Sequence, residues 1–134
     1  MIIPATIPAD DVPAMWPKVR LWIKEACAWT MGVVKPADIR QDCMNGTRHM
    51  FVLMDGKDII GSGAMEIDHR SVHVTSLGGT RLPTGWEPHL LDYLMGVALS
   101  RGLRTITIRG RRGWDRKLKA LGFVREGDLL IKRI

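Results

Sequence analysis

Some residue types are scarce in this chain. Its 134 residues include two cysteines, one tyrosine and two phenylalanines. Cys27 and Cys43 fit no metal-ligand spacing and are too few for a disulfide framework. They read as free, buried thiols of a reducing compartment. No apolar run approaches the length that spans a bilayer, and no membrane partner is expected. No repeat or low-complexity tract interrupts the chain. The opening Met1-Ile-Ile-Pro-Ala-Thr-Ile7 lacks the basic region of a signal peptide, so a cytoplasmic location is expected. What remains is one globular domain over residues 1–134, 46% hydrophobic and 25% charged, with enough apolar material for one core.

Acidic residues are also in short supply. Twenty Lys and Arg stand against 14 Asp and Glu, a net charge of +6. The excess lies late: from Arg101 to Ile134 the only acids are Asp115, Glu126 and Asp128. Such a surface suits an anionic partner, whether a nucleotide cofactor, an acidic protein or nucleic acid. Arg109, Arg111, Arg112 and Arg116 with Trp114 supply phosphate contacts and one stacking ring for the last of these. A solvated basic face accounts for the same residues.

Glycine is well represented, and it clusters. Leu77-Gly-Gly-Thr-Arg-Leu-Pro-Thr-Gly-Trp86 reads as a strand end and a loop. A helix follows from Glu87, with Pro88 in its first turn and Leu90, Leu91, Leu94, Val97 and Ala98 at helical spacing. Gly102 stops it. A helix start behind a glycine-rich loop is a natural anion site, because free amides and the dipole both favour negative charge, and Arg81 adds a cation. A tight strand-to-helix turn would need the same glycines.

Around this unit the chain divides readily. Ile2–Ile7 is a candidate edge strand, limited by Pro4 and Pro8. Asp10 or Asp11 caps a first helix whose stripe is Met15, Val19, Trp22, Ile23, Ala26 and Trp29, frayed by Pro17 and ended at Gly32. A second helix starts near Pro36, carries Ile39 and Met44, and ends at Asn45-Gly46. The period then turns strand-like. His49–Met54 and Asp58–Ile67 flank Asp55-Gly56, a hairpin signal, and Asp68-His-Arg70 turns into Ser71–Leu77. After the glycine loop and helix come a strand at Leu103–Arg109, parallel to the one before, a helix at Arg112–Leu121, and an edge strand at Asp128–Arg133.

This order, with Trp114-Asp-Arg-Lys-Leu-Lys-Ala-Leu-Gly-Phe123, resembles the GNAT (GCN5-related N-acetyltransferase) superfamily over nearly the whole chain. Gly110-Arg-Arg-Gly-Trp114 and the terminal Leu-Leu-Ile-Lys-Arg-Ile134 resemble, more narrowly, small GNAT-like proteins of bacteriophages and prophages. The resemblance implies an α+β fold: a mixed sheet of about six strands, an antiparallel meander and then a parallel pair at a splay, flanked by about four helices. It also implies acetyl-CoA as co-substrate and an amine or protein acceptor. Cofactor contacts would fall on Leu77, Gly78, Gly79, Arg81, Thr84, Gly85, Trp86, Arg111 and Trp114. His73 and Glu66 are the candidate catalytic residues, His73 for a pKa near the working range. Two departures stand out. The first loop glycine comes one place late and Trp86 fills a small-residue position. Leu118 stands where the family usually carries an acid tyrosine, and Arg111 where it carries an asparagine. Monomer and homodimer are both open, the latter through the edge of the last strand. A scaffold of this fold without catalysis, binding a host protein or serving in a phage particle, is the competing expectation.

Overall fold

A computed structural model describes residues 1–28, 33–109 and 112–134. Seven strands form one sheet in the order β1-β2-β3-β4-β5-β7-β6. They are β1 (Ile2–Ile7), β2 (His49–Asp55), β3 (Asp58–Ile67), β4 (Val72–Gly79), β5 (Thr105–Arg109), β6 (Val124–Glu126) and β7 (Leu129–Arg133). All neighbours are antiparallel except β4 and β5. The helices are α1 (Val12–Ala28), α2 (Pro36–Asn45), α3 (Trp86–Ser100) and α4 (Asp115–Lys119).

Alternation along the strands divides the core in two. In β2, Met50 and Val52 join Val12, Val19, Ile23 and Cys27 of α1 and Ile39 and Cys43 of α2. Phe51 and Leu53 point the other way, into a larger cluster with Leu90, Leu94 and Ala98 of α3 and Leu118 of α4. The sheet is thus sandwiched, with α1 and α2 on one face and α3 and α4 on the other. Both thiols are buried, and burial holds the Cys43 thiol at about 11.

Several expectations are corrected. Against the expected sheet of about six strands, the described residues hold seven, because Val124–Glu126 forms a hairpin with β7 through Gly127 at φ 61°. The last strand is therefore not an edge. It lies between β5 and β6, and the edges are β1 and β6. Pro17 does not fray the start of α1 but lies inside it. Its missing N–H costs one helical bond, and the buried stripe of Val12, Val19 and Ile23 holds the helix regardless. Met44 is 38% exposed, and Cys43 takes the core position beside Ile39. The last helix is short, a 3-10 turn at Arg112–Trp114 followed by five residues. Trp29 and Gly32 lie outside the described residues.

One insertion sets the line of β4. Its register against β3 shifts between Ala64↔Ser76 and Met65↔Val74, leaving Thr75 as an extra residue. Val74 and Leu77, three apart, consequently both enter the α3-side core. An unbulged strand would place them on opposite faces. Close approach of β3 holds the bend. A Cβ on Gly63 would come within 2.5 Å of the Ser76 carbonyl oxygen and 2.4 Å of the Phe51 ring. Gly63→Ala is therefore expected to destabilise the fold by about 1–3 kcal/mol, read as a lower urea midpoint with unchanged slope.

Candidate functional site

The feature that sets β4 apart is where its pairing stops. It meets β5 at only three positions, Val72↔Ile106, His73↔Thr107 and Val74↔Ile108. Past the bulge, β4 runs on from Ser76 to Gly79, and among the described residues only β3 pairs with it there. The Thr80 N–H donates to the Ile60 carbonyl at 2.9 Å. Ladder alternation then turns the backbone groups of Ser76 and Gly78 toward β3 and those of Leu77 and Gly79 toward the open edge. Unpaired strand backbone of this kind is a template for an extended ligand.

The loop after β4 is held from two sides. The Trp22 Nε1–H of α1 donates to Thr80 Oγ1 at 2.7 Å. A Cβ on Gly79 would strike the Leu82 side chain at 2.8 Å, and one on Gly78 the Trp22 carbonyl oxygen at 2.9 Å. Both positions therefore need glycine for space. Arg81, exposed, has φ 54°, the left-handed region that non-glycine residues seldom enter. Gly85, with φ 86°, is the residue from which α3 starts. It and exposed Thr84 line a cleft of about 300 Å³ with Glu87, Pro88, Lys117 and Leu121.

Trp86 does not obstruct this cleft with its ring. It is 5% exposed, belongs to the α3-side core, and meets Trp114 edge to face at 6.3 Å between centroids. The two indoles fasten the start of α3 to the turn before α4. Trp114 is thus placed as a packing partner of Trp86. Arg111 lies outside the described residues. Leu118 is 3% exposed and fills the core.

His73 and Glu66 sit opposite one another in the β3–β4 ladder. The imidazole Nδ1 is in short contact with Thr107 Oγ1 of β5. Burial holds its pKa below the ordinary histidine value, the Glu66 carboxylate opposes that shift, and Arg109 and Arg48 reinforce it. His73 is therefore mostly neutral at pH 7. Glu66 is engaged elsewhere: Arg48 Nε lies 3.0 Å from its Oε1 and 3.1 Å from Asp42 Oδ2 of α2, aligned as a hydrogen bond to neither. Arg48 Nη1 also donates to Thr75 Oγ1 at 3.3 Å, and that hydroxyl donates to the Ala64 carbonyl at 3.2 Å. One arginine thereby joins α2, β3 and the bulge.

Four participants escaped sequence reasoning: Arg48, Thr75, Ser76 and the Glu87–Lys117 pair. Ser76 is 2% exposed, and its hydroxyl finds no partner among the described residues. The extra residue in β4 left no mark in the sequence, since Val-His-Val-Thr-Ser-Leu alternates acceptably without it. Glu87 had the signature of an ordinary first-turn acid, yet only 9% of its side chain is exposed and Lys117 Nζ lies 3.2 Å away. The basic C-terminal third is partly spent on the fold. Arg125 chelates Asp115, with Nε to Oδ2 at 2.7 Å, and Lys132 Nζ donates to the Leu121 carbonyl at 2.9 Å. Tyr93 is far from any acid role, its hydroxyl bonded to Thr6 of β1. Among the described residues no cluster suits a metal ion, and no helix is long and apolar enough to cross a membrane.

No family model and no curated protein matches the sequence. Solved structures do match the fold. An aminoglycoside 6'-acetyltransferase type Ii superposes with a TM-score of 0.71 at 15% identity, over 98% of this chain and 96% of that one. The PaiA N-acetyltransferase of Thermoplasma acidophilum, solved with coenzyme A, gives 0.63 at 13% identity, over 100% and 99%. The GNAT domain of S. lividans PAT gives 0.66 at 15%, over 98% and 89%. The fold is that of the GNAT acetyltransferases, as the element order implied.

Arg48→Met is expected to lower stability by about 1–2 kcal/mol, since it leaves two carboxylates facing each other without their cation. The loss should be larger at low salt, measured by urea unfolding in 20 mM and 500 mM NaCl.

Proposed function

We propose that this chain is an N-acetyltransferase that moves an acetyl group from acetyl-CoA to an amine. The observation that carries the reading is the open edge of β4, which runs from the Thr75 bulge directly into the loop and the start of α3. An extended pantetheine would pair with the backbone of Leu77 and Gly79, and Gly78 would keep the strand close to α1. The diphosphate would meet the amides between Thr80 and Glu87, with Arg81 at hand as a cation. Thr84 and Gly85 line the cleft there, and the Trp86 ring is turned into the core against Trp114. The solved relative that holds coenzyme A supports a CoA thioester as the ligand of this fold.

The chemistry asks little of the protein. A neutral amine nitrogen attacks the thioester carbonyl carbon, the C–S bond breaks, and its electron pair leaves on the CoA sulfur. One proton must leave the nitrogen. His73, largely neutral at pH 7, is the base that the geometry favours, with Thr107 orienting Nδ1 and Glu66 steadying the charge it gains. Glu66 as the base itself is less favoured, because its carboxylate is already engaged by Arg48 at 3.0 Å. Buried Leu118 donates no proton, so the thiolate leaves unassisted, which an ordinary thiol pKa of about 8.5 permits. The narrower likeness of the C-terminal third supports a phage or prophage source and the bacterial cytoplasm as the place of action.

A second reading keeps the fold and drops the catalysis, leaving a binding module. Buried Leu118 and the carboxylate of Glu87 inside the cleft favour it.

Calorimetry with acetyl-CoA separates the two. The transferase reading expects saturable binding at micromolar to submillimolar concentration. Gly85→Glu should abolish it while the thermal midpoint falls only modestly, because no atom lies within 4 Å of a Cβ there and only the left-handed φ is strained. No heat at millimolar acetyl-CoA would overturn the reading. If turnover of an amine is found, kcat/KM should fall at acid pH with a limb below about 6.5, as a depressed histidine pKa requires. His73→Ala should lower the rate about 10²-fold or more and erase that limb.

A further inference from the structure

The cleft at the start of α3 contains two ionisable side chains, and they are paired with each other. Glu87 Oε1 lies 3.2 Å from Lys117 Nζ. The carboxylate is nine-tenths buried, whereas the lysine side chain is 59% exposed. Oε1 accepts no aligned hydrogen bond. Two sources of positive charge face this buried carboxylate: one exposed ammonium and the start of a 15-residue helix. An incoming diphosphate would draw on the same two sources.

We propose that Glu87 is a built-in competitor at the diphosphate subsite, and that Lys117 is the cation which the internal carboxylate and an incoming diphosphate share. The inference rests on the acyl-CoA reading above and goes further, to what limits affinity there. A carboxylate lining the cleft repels phosphate oxygens at close range in a partly dry setting, where like charges are screened far less than in bulk water. It also keeps Lys117 occupied. Weak hold on CoA is then a property of this side chain rather than of the loop backbone. Ligands lacking phosphate are indifferent to it.

Calorimetry on Glu87→Gln and Glu87→Ala, with CoA and with pantetheine as probes, tests this. Glu87→Gln should bind CoA about tenfold more tightly than the parent in 20 mM NaCl. The gain should shrink in 500 mM NaCl, where the Debye length is only about 4–5 Å. Pantetheine affinity should not change. Lys117→Gln should weaken CoA binding, and by a larger factor in the Glu87→Gln background, where the lysine is free for phosphate. Glu87→Ala serves as the second variant if the glutamine protein melts early. Equal or weaker CoA binding by the variants would overturn the proposal while leaving the acyl-CoA reading intact. So would an equal gain for pantetheine, which would point to repacking. If parent and variants all fail to bind CoA at millimolar concentration, both ideas fall together.

Discussion

A single extra residue in β4 is the constraint on which the rest of the site depends. Thr75 has no residue opposite it in the β3 register, so the strand changes phase and direction between Val74 and Ser76. The change of phase lets Val74 and Leu77 share the α3-side core. Pairing with β5 ends at Val74, immediately before the bulge. An unbroken β4 would be free to continue its parallel ladder and close the edge. Arg48 locks the irregularity from the α2 side, reaching the Thr75 hydroxyl and two carboxylates at once. Gly63 leaves the room that the bend needs. Fold stability and site geometry are here two outcomes of one local insertion.

The start of α3 shows how packing reassigns residues. Trp86 would be an obstacle in a phosphate loop if it faced outward. Its contact with Trp114 draws the ring into the core. Glu87, the next residue, has its side chain in the cleft wall beside Lys117 of α4. One turn of helix thus presents donors from its main chain and a negative charge from a side chain. Glu87 and Lys117 are brought together by a contact between residues thirty positions apart.

Much of the fold was readable from local pattern. Alternation located β2 and β3, Asp55-Gly56 marked their turn, and the stripe of Leu90, Leu94 and Ala98 marked α3. The parallel relation of β4 and β5 followed from the helix between them. The misses were of two kinds. Val124–Glu126 was passed over because a three-residue strand carries too little period to register, and its partner β7 was then misplaced at an edge. Pro17 reads as fraying the start of α1 because its local cost is plain while the burial of Val19 and Ile23 is not. His73 and Glu66 were picked by residue type. Their placement across a ladder, with Thr107 on the other side, is a matter of register.

By itself the sequence determined the order and type of the elements, the glycine-rich passage from strand to helix, and the absence of a tyrosine at position 118. Those properties depend on period, backbone permissiveness and residue identity, which act over a few neighbours. Only the tertiary structure decided where β4 loses its partner, which way Trp86 turns, and that Glu87 and Arg48 are held by distant charges. These depend on strand register and on contacts between segments far apart in the chain. A one-residue slip in register leaves local pattern almost unchanged and sends every following side chain to the opposite face.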